Sequence, residues 1–288
     1  MTAGDLTDRS TVRRLLSEAG IHPSKRLGQN FLVDRTVVET VRRIASDAKP
    51  CRIVEIGAGL GTITRALASV APRVTAIELD QRLVEILERT TADFEAVQIH
   101  HGDVLDFSFQ RHEDTPKAFV VASLPYASTA AILQHLVAHR AAITEAVLLT
   151  QREVAEKIKA SPGAQGSGLG VLVRGYADVE RVRRVGRESF YPVPRVDSVL
   201  WIARFRDRPR FTSDPDTFFA VARTIYGMRR KMLRVALRSI APREEIGRIL
   251  ARSGIDGQGR GETLSFAQLD RLAQAVQDPQ APLTSFDS

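Results

Sequence analysis

The chain has 288 residues, 43% of them hydrophobic and 26% charged, enough to bury one large core and a smaller one and too balanced for a disordered or fibrous protein. Its net charge is +7 with a pI near 10.0, and its single cysteine, Cys51, excludes an internal disulfide. No apolar run reaches the length of a membrane span, and Asp5, Asp8 and Arg9 interrupt any secretory pattern, so a cytoplasmic protein without membrane attachment is expected.

Residues 10–19 read as a short helix with Ser10 as N-cap and Val12, Leu15 and Leu16 on one face, ended by Gly20. A polar stretch then leads through Lys25-Arg26-Leu27-Gly28-Gln29-Asn30-Phe31-Leu32 to a helix over residues 35–45. From there strands and helices alternate. Strands are predicted at 52–56, 73–78, 96–100, 118–122 and 145–150, with helices at 62–70, 82–89 and 127–140. Cys51 is expected to pack as a small apolar residue where the first of these strands begins. Such alternation implies a parallel sheet covered by helices on both faces. Residues 171–176 and 198–204 are apolar enough to be late strands at an antiparallel edge.

Arg206-Asp207-Arg208-Pro209-Arg210 is charged and proline-broken, and reads as a linker. Helices over 216–238, 243–253 and 266–277 would follow it. The expected organisation is therefore a sheet domain over residues 1–207 and a small helical domain over 208–288. Charge is unevenly distributed: residues 51–150 carry a balance of −4 and residues 151–250 a balance of +10. A near-neutral half beside a cationic surface suits a phosphate-bearing partner.

The motif Glu55-Ile56-Gly57-Ala58-Gly59-Leu60-Gly61 falls directly between a strand and a helix. Glycines there permit a tight turn and close approach of a ligand to the backbone. Glu78 ends the next strand, placed to accept hydrogen bonds from two ribose hydroxyls. These features serve a nicotinamide dinucleotide and S-adenosylmethionine alike, although Thr62 stands where a dinucleotide fingerprint wants its third glycine. Asp103 follows the third strand, where a carboxylate can meet an adenine amino group, with Leu79 and Val104 as apolar walls.

Ser123-Leu124-Pro125-Tyr126 comes after the fourth strand. An adenine amine is a poor nucleophile because its lone pair is delocalised into the ring. A polar side chain at Ser123 and the Leu124 carbonyl, stiffened by Pro125, can accept hydrogen bonds from both amino hydrogens and turn the lone pair outward. Tyr126 would stack on a flipped base. A second proline-stiffened loop, Phe190-Tyr191-Pro192-Val193-Pro194-Arg195-Val196-Asp197-Ser198, could offer Phe190 as the other wall and Arg195 to phosphate.

These motifs, with Arg229-Arg230-Lys231 and the late Gly254-Ile255-Asp256, resemble the small-subunit (16S) ribosomal RNA adenine N6,N6-dimethyltransferases over residues 20–277. The resemblance implies an α/β fold, a Rossmann-like class I methyltransferase sheet with a small all-helical C-terminal domain. It implies methyl transfer from S-adenosylmethionine to N6 of two adjacent adenosines near the 3′ end of 16S rRNA, within the 30S subunit or its precursor, by a monomer. Residue by residue, Asn30, Leu32, Gly57 and Gly59 would line the donor site, Glu78 would hold its ribose and Asp103 its adenine. Lys25, Arg26, Arg195, Arg229, Arg230 and Lys231 would contact RNA phosphates.

Two departures stand out. The family's tetrapeptide opens with asparagine where this chain has Ser123, and Gly166-Ser167-Gly168-Leu169-Gly170 replaces a Tyr-Gly-x-Leu-Ser run. Both are expected near the base pocket, which keeps a catalytically weakened assembly factor open as an alternative. A relative acting on large-subunit RNA is a second alternative, opposed by the basic helical C-terminal domain. His135 and His139 lie four apart on one helix but lack a third ligand, so no metal is expected.

Overall fold

A computed structural model describes residues 4–24, 28–109, 116–125 and 128–278, which fold as two compact units. The first comprises residues up to 152 together with 179–205; the second comprises 153–178 together with the residues from 206 on. The C-terminal unit thus starts at the charged linker read from the sequence, and also takes in residues 153–178.

The first unit opens with α1 (Arg9–Glu18), capped by Asp8 and not by Ser10: the Asp8 carboxylate accepts from Thr11 N, and Ser10, two positions later, is already inside the helix. Strand β1 (Phe31–Leu32) leads into α2 (Arg35–Ala48), whose cap Asp34 accepts from Thr36 N and Val37 N. Then come β2 (Ile53–Ile56), α3 (Thr62–Ala68), β3 (Val74–Glu78), α4 (Gln81–Thr91), β4 (Val97–His101), β5 (Ala118–Ser123), α5 (Thr129–Ala138) and β6 (Ile143–Gln151). Cys51 lies exposed just ahead of β2, outside the core expected to take it.

Helices α6 (Arg152–Lys159) and α7 (Gly168–Tyr176) follow, and then β7 (Ala177–Val185), β8 (Phe190–Tyr191) and β9 (Ser198–Phe205). Residues 171–176, read above as a strand, are therefore helical. Ser167 caps α7 through its hydroxyl, which accepts from Gly170 N, and a short apolar run does not distinguish strand from buried helix. The strand that does form, β7, carries three arginines, Asp178 and Glu180 and sits at the sheet edge, where charge guards against edge-to-edge pairing.

Seven strands form one sheet in the order β4-β3-β2-β5-β6-β9-β7. Strands β4, β3, β2, β5 and β6 are parallel, and β9 runs antiparallel to β6. The central strands β2 and β5 are almost wholly apolar because helices cover both faces. Val37 and Val41 of α2, Leu67 of α3, Phe119 of β5 and Leu200 of β9 meet in the main core cluster. Each such side chain contributes about 1.5–3 kcal/mol when fully buried. Trp201 is buried as well, its indole N–H donating to Thr150 Oγ1 at 3.0 Å.

Separately, β1 and β8 pair antiparallel, Phe31 opposite Tyr191 and Leu32 opposite Phe190. Helix α1 packs Val12, Leu15 and Leu16 against Phe31, Leu60 and Leu83. The N-terminal segment, the glycine loop and the late proline loop are thereby fixed to one body.

In the second unit the long helix expected over 216–238 is broken. Helix α8 (Pro215–Gly227) ends at a glycine, and α9 (Leu233–Ala236) begins after a stretch in which Met228, Arg230, Lys231 and Met232 are exposed. Helices α10 (Ile246–Ser253) and α11 (Phe266–Gln277) complete it. Phe211 stacks on Phe218 with centroids 4.1 Å apart, and the buried Asp270 carboxylate accepts from Thr212 N and Ser213 N at 2.9–3.0 Å. The glycines at 166 and 170 have a packing reason: a β-carbon on either would strike Ser161 at 2.5 Å or less.

Candidate active site

The carboxyl-terminal ends of β2, β3 and β5 open on a cleft of about 320 Å³, the place where open parallel sheets bind ligands. Of the donor residues read from the sequence, Asn30, Leu32, Gly57, Gly59, Glu78 and Asp103 all line it. So do Ser123, Leu124, Pro125 and Phe190 of the base pocket. Tyr126, Lys25 and Arg26 lie outside the described residues.

Glycine is required at two points of the loop. Gly57 has φ +74°, and a β-carbon there would come within 3.2 Å of the Ser123 carbonyl oxygen. Gly61 has φ +89° and faces Thr90 Oγ1 and Leu87 Cδ1 at 2.9 and 3.0 Å from the same imagined atom, letting α3 start against α4.

Glu78 is held before any ligand arrives. Its Oε2 accepts from Gly59 N at 2.8 Å, and its Oε1 accepts from Leu79 N at 2.9 Å and Asp80 N at 3.0 Å. Burial raises its carboxyl above the ordinary range, and the three N–H donors oppose that rise. Two carboxylate oxygens offer about four acceptor positions, so one remains for a hydroxyl. Asp103 caps the following turn through Oδ1, which accepts from Leu105 N at 2.9 Å, and its second carboxylate oxygen is a further acceptor that an amine could meet. The capping and binding roles are compatible. Leu79, 54% exposed, and Leu105 line the cleft beside them and present apolar surface for a flat ring.

Three features escaped the sequence reading. Glu55 is only 2% exposed, and burial pushes its carboxyl up to about 8, with the Thr64 hydroxyl opposing and the Glu78 charge adding to the rise. One of its oxygens has no hydrogen-bond partner among the described residues. Burial thus favours the neutral acid, which avoids placing a second charge beside Glu78. The signal was an acid within an otherwise apolar strand, Ile53-Val54-Glu55-Ile56. Second, Gln29 ties the segment before Asn30 to the donor side: its Nε2 donates to Asp80 Oδ2 at 2.9 Å and its Oε1 accepts from Ser24 N at 2.8 Å. Asn30 itself donates to Gly28 O at 3.1 Å. Third, the pairing of β1 with β8 brings Leu32 and Phe190 into register.

In the tetrapeptide, Leu124 N donates to Leu149 O at 3.0 Å, and the Pro125 carbonyl accepts from Thr129 Oγ1 at 2.8 Å at the start of α5. Leu124 and Pro125 are thus each held by a hydrogen bond. The 166–170 segment, expected near the base pocket, belongs to the second unit, and none of its residues lines the cleft. His135 and His139 are engaged by backbone: His135 Nε2 meets Phe107 O at 3.0 Å, and His139 Nδ1 meets His135 O at 2.9 Å.

The cationic candidates differ from one another. Arg195 is exposed in the proline loop, and Arg230 and Lys231 are exposed in the second unit. Arg229 instead donates through Nε to Glu262 Oε2 at 2.5 Å and through a second nitrogen to the Ala164 carbonyl, with its guanidinium 5.8 Å from the Tyr226 ring centroid. Arg229 is a strut within its unit.

A parallel sheet with a glycine loop after β2, an acid ending β3 and another following β4 defines a Rossmann-like class I methyltransferase. The family model for ribosomal RNA adenine dimethylase matches residues 22–278, and the chain belongs to that family. It is 37% identical over 284 residues to the ribosomal RNA small subunit methyltransferase A of Thermobifida fusca, covering 95% of this chain and 99% of that one. A dimethyladenosine transferase from Plasmodium falciparum shares the fold at a TM-score of 0.73 and 20% identity, over 86% of this chain and 98% of its own. The 23S rRNA methyltransferase ErmE aligns at a TM-score of 0.64 and 26% identity, over 86% of this chain and all of its own.

Proposed function

We propose that this protein transfers methyl groups from S-adenosylmethionine to N6 of two adjacent adenosines near the 3′ end of 16S rRNA, acting as a monomer on the 30S subunit or its precursor. The observation that carries the reading is one cleft containing both an acid-lined donor half and Ser123-Leu124-Pro125, joined where Gly57 meets the Ser123 carbonyl. The family and the small-subunit relative support the choice of RNA.

The residues present fit the donor. Glu78 would accept from one of its ribose hydroxyls, Asp103 from its adenine amine, and Leu79 and Leu105 would flank the ring. When bound, the donor supplies an electrophilic methyl group. The Ser123 hydroxyl and the Leu124 carbonyl accept hydrogen bonds from the target amine and aim its lone pair at that methyl, while Phe190 stacks against the base. The amine becomes a nucleophile by orientation, without prior loss of a proton. As nitrogen gains the methyl and a positive charge, the sulfonium–methyl bond would break to leave a neutral thioether, and the proton is then lost from nitrogen to solvent. Arg195, Arg230 and Lys231, with Lys25 and Arg26, would hold the RNA backbone.

Ser123 in place of asparagine favours a second reading, a slow enzyme retained as an assembly factor. Transfer of labelled methyl groups to unmethylated 30S particles and to 50S particles tests both choices. The proposal expects label in 30S RNA alone; label in 50S RNA transfers the assignment to the large subunit, and label in neither leaves the assembly reading.

A further inference from the structure

We infer that Val193 and Val196 form an apolar wedge that occupies the stacking position left open when the target adenosine swings out of the stack of its neighbouring bases. The inference rests on the proposed function and adds to it the step that holds the base outside.

Among the described residues six large hydrophobic side chains are conspicuously exposed: Leu79, Leu105, Val193, Val196, Met228 and Met232. The donor cleft accounts for the first two, which line it. Val193, 50% exposed, and Val196, 43% exposed, do not line the cleft and have no such account. They stand on either side of the exposed Arg195, in the loop that begins with Phe190.

The loop is built to hold a shape. Its first residue is pinned in β8 against Leu32, and Ser198 begins β9. Next to Val196, the Asp197 carboxylate accepts from both Arg184 Nε and a terminal nitrogen, at 3.1 and 2.6 Å, and from Arg187 N at 3.2 Å. The Asp197 carbonyl accepts from Arg152 N at 3.0 Å. Pro192 and Pro194 fix two further backbone angles. Branched side chains on so restrained a backbone lose little freedom on contact.

The chemistry points to nucleobases as the occupant. Proteins that open base steps insert apolar side chains beside cations that hold the adjoining phosphate, and Val193-Pro194-Arg195-Val196 has that composition. The position agrees. Val193 comes three positions after Phe190, so their Cα atoms lie within roughly 11 Å, close enough for one loop to stack on the flipped base and fill its former place.

The test uses the full chain and unmethylated 30S particles carrying 2-aminopurine next to a target adenosine, whose fluorescence rises on unstacking. Both valines are surface side chains, so Val193→Ser with Val196→Ser should leave the fold and donor affinity intact. We expect that pair to bind particles normally, to lose the fluorescence rise and to lower kcat at least about tenfold, and Val193→Ile with Val196→Ile to recover both readouts. A serine pair with wild-type kcat and fluorescence overturns the wedge. A serine pair that loses particle affinity while kcat at saturation holds makes the valines a docking surface, for protein or RNA, and overturns it too. Wild-type protein that binds donor and particle yet transfers no methyl sinks the proposed function and the wedge together.

Discussion

A β-carbon placed on Gly57 would stand 3.2 Å from the carbonyl oxygen of Ser123. The donor loop and the peptide that would grip the target amine are therefore in backbone contact, and a change at one is felt at the other.

Gly57→Ala should expose this contact. The alanine must hold φ near +74°, at a cost of about 1–2 kcal/mol, and press on the Ser123 carbonyl. Donor affinity measured by calorimetry should fall about tenfold, and the rate at saturating donor should fall with it. A fall in donor affinity with an unchanged saturated rate would show that the contact does not reach the base pocket.

Ser123→Asn restores the family's amide acceptor. One further hydrogen bond to the amine is worth about 1–3 kcal/mol where water is excluded, or roughly ten- to a hundredfold in rate. Single-turnover methylation of 30S particles should speed up by that order, and Ser123→Ala should slow it. Equal rates for serine and alanine would remove Ser123 from the site.

Glu55 links the site to pH. The carboxyl titrates near its ordinary value of 4.5 when the chain is unfolded and at about 8 when folded. Below the lower value both states are protonated and its contribution is fully present. Between the two, the folded chain keeps a proton the unfolded chain has lost, so stability falls as pH rises towards 8. Glu55→Gln cannot titrate. Its Tm relative to wild type should rise steadily from pH 5 to pH 8, each tenfold difference in proton affinity being worth about 1.4 kcal/mol. A difference that stays flat would mean that Glu55 is ionised in the fold.

The exposed Arg230 and Lys231 and the engaged Arg229 should separate cleanly. Replacing Arg230 and Lys231 by alanine should leave Tm unchanged and reduce the salt slope of 30S binding by about two. Arg229→Ala should instead lower stability, since it strips a partner from the buried Glu262, at a cost of about 1–3 kcal/mol discounted for the partial exposure of the arginine. Thermal melts and a salt titration of all variants decide between the two roles.

What could be read in the sequence was local or repetitive. The buried runs of β2, β5 and β6, the glycine loop and the acids at 78 and 103 announce themselves within a few residues, and all of these settle at one cleft. The glycine loop alone left the donor open between two cofactors. What stayed hidden depends on partners far along the chain. Arg229 looks like a free cation until Glu262, thirty-three residues later, claims it. Helix α7 shows the apolar run of a strand because both its faces are partly covered, and β7 shows the charge of a loop because it is an edge. The coupling of Leu32 to Phe190 spans most of the first unit and leaves no local trace.

The most direct test of the central claim is nucleoside mass spectrometry of RNA from unmethylated 30S particles incubated with this protein and S-adenosylmethionine. The account predicts N6,N6-dimethyladenosine at two positions per particle, formed with Ser123 as acceptor. Particles that bind the protein and its donor yet yield no methylated adenosine would contradict it.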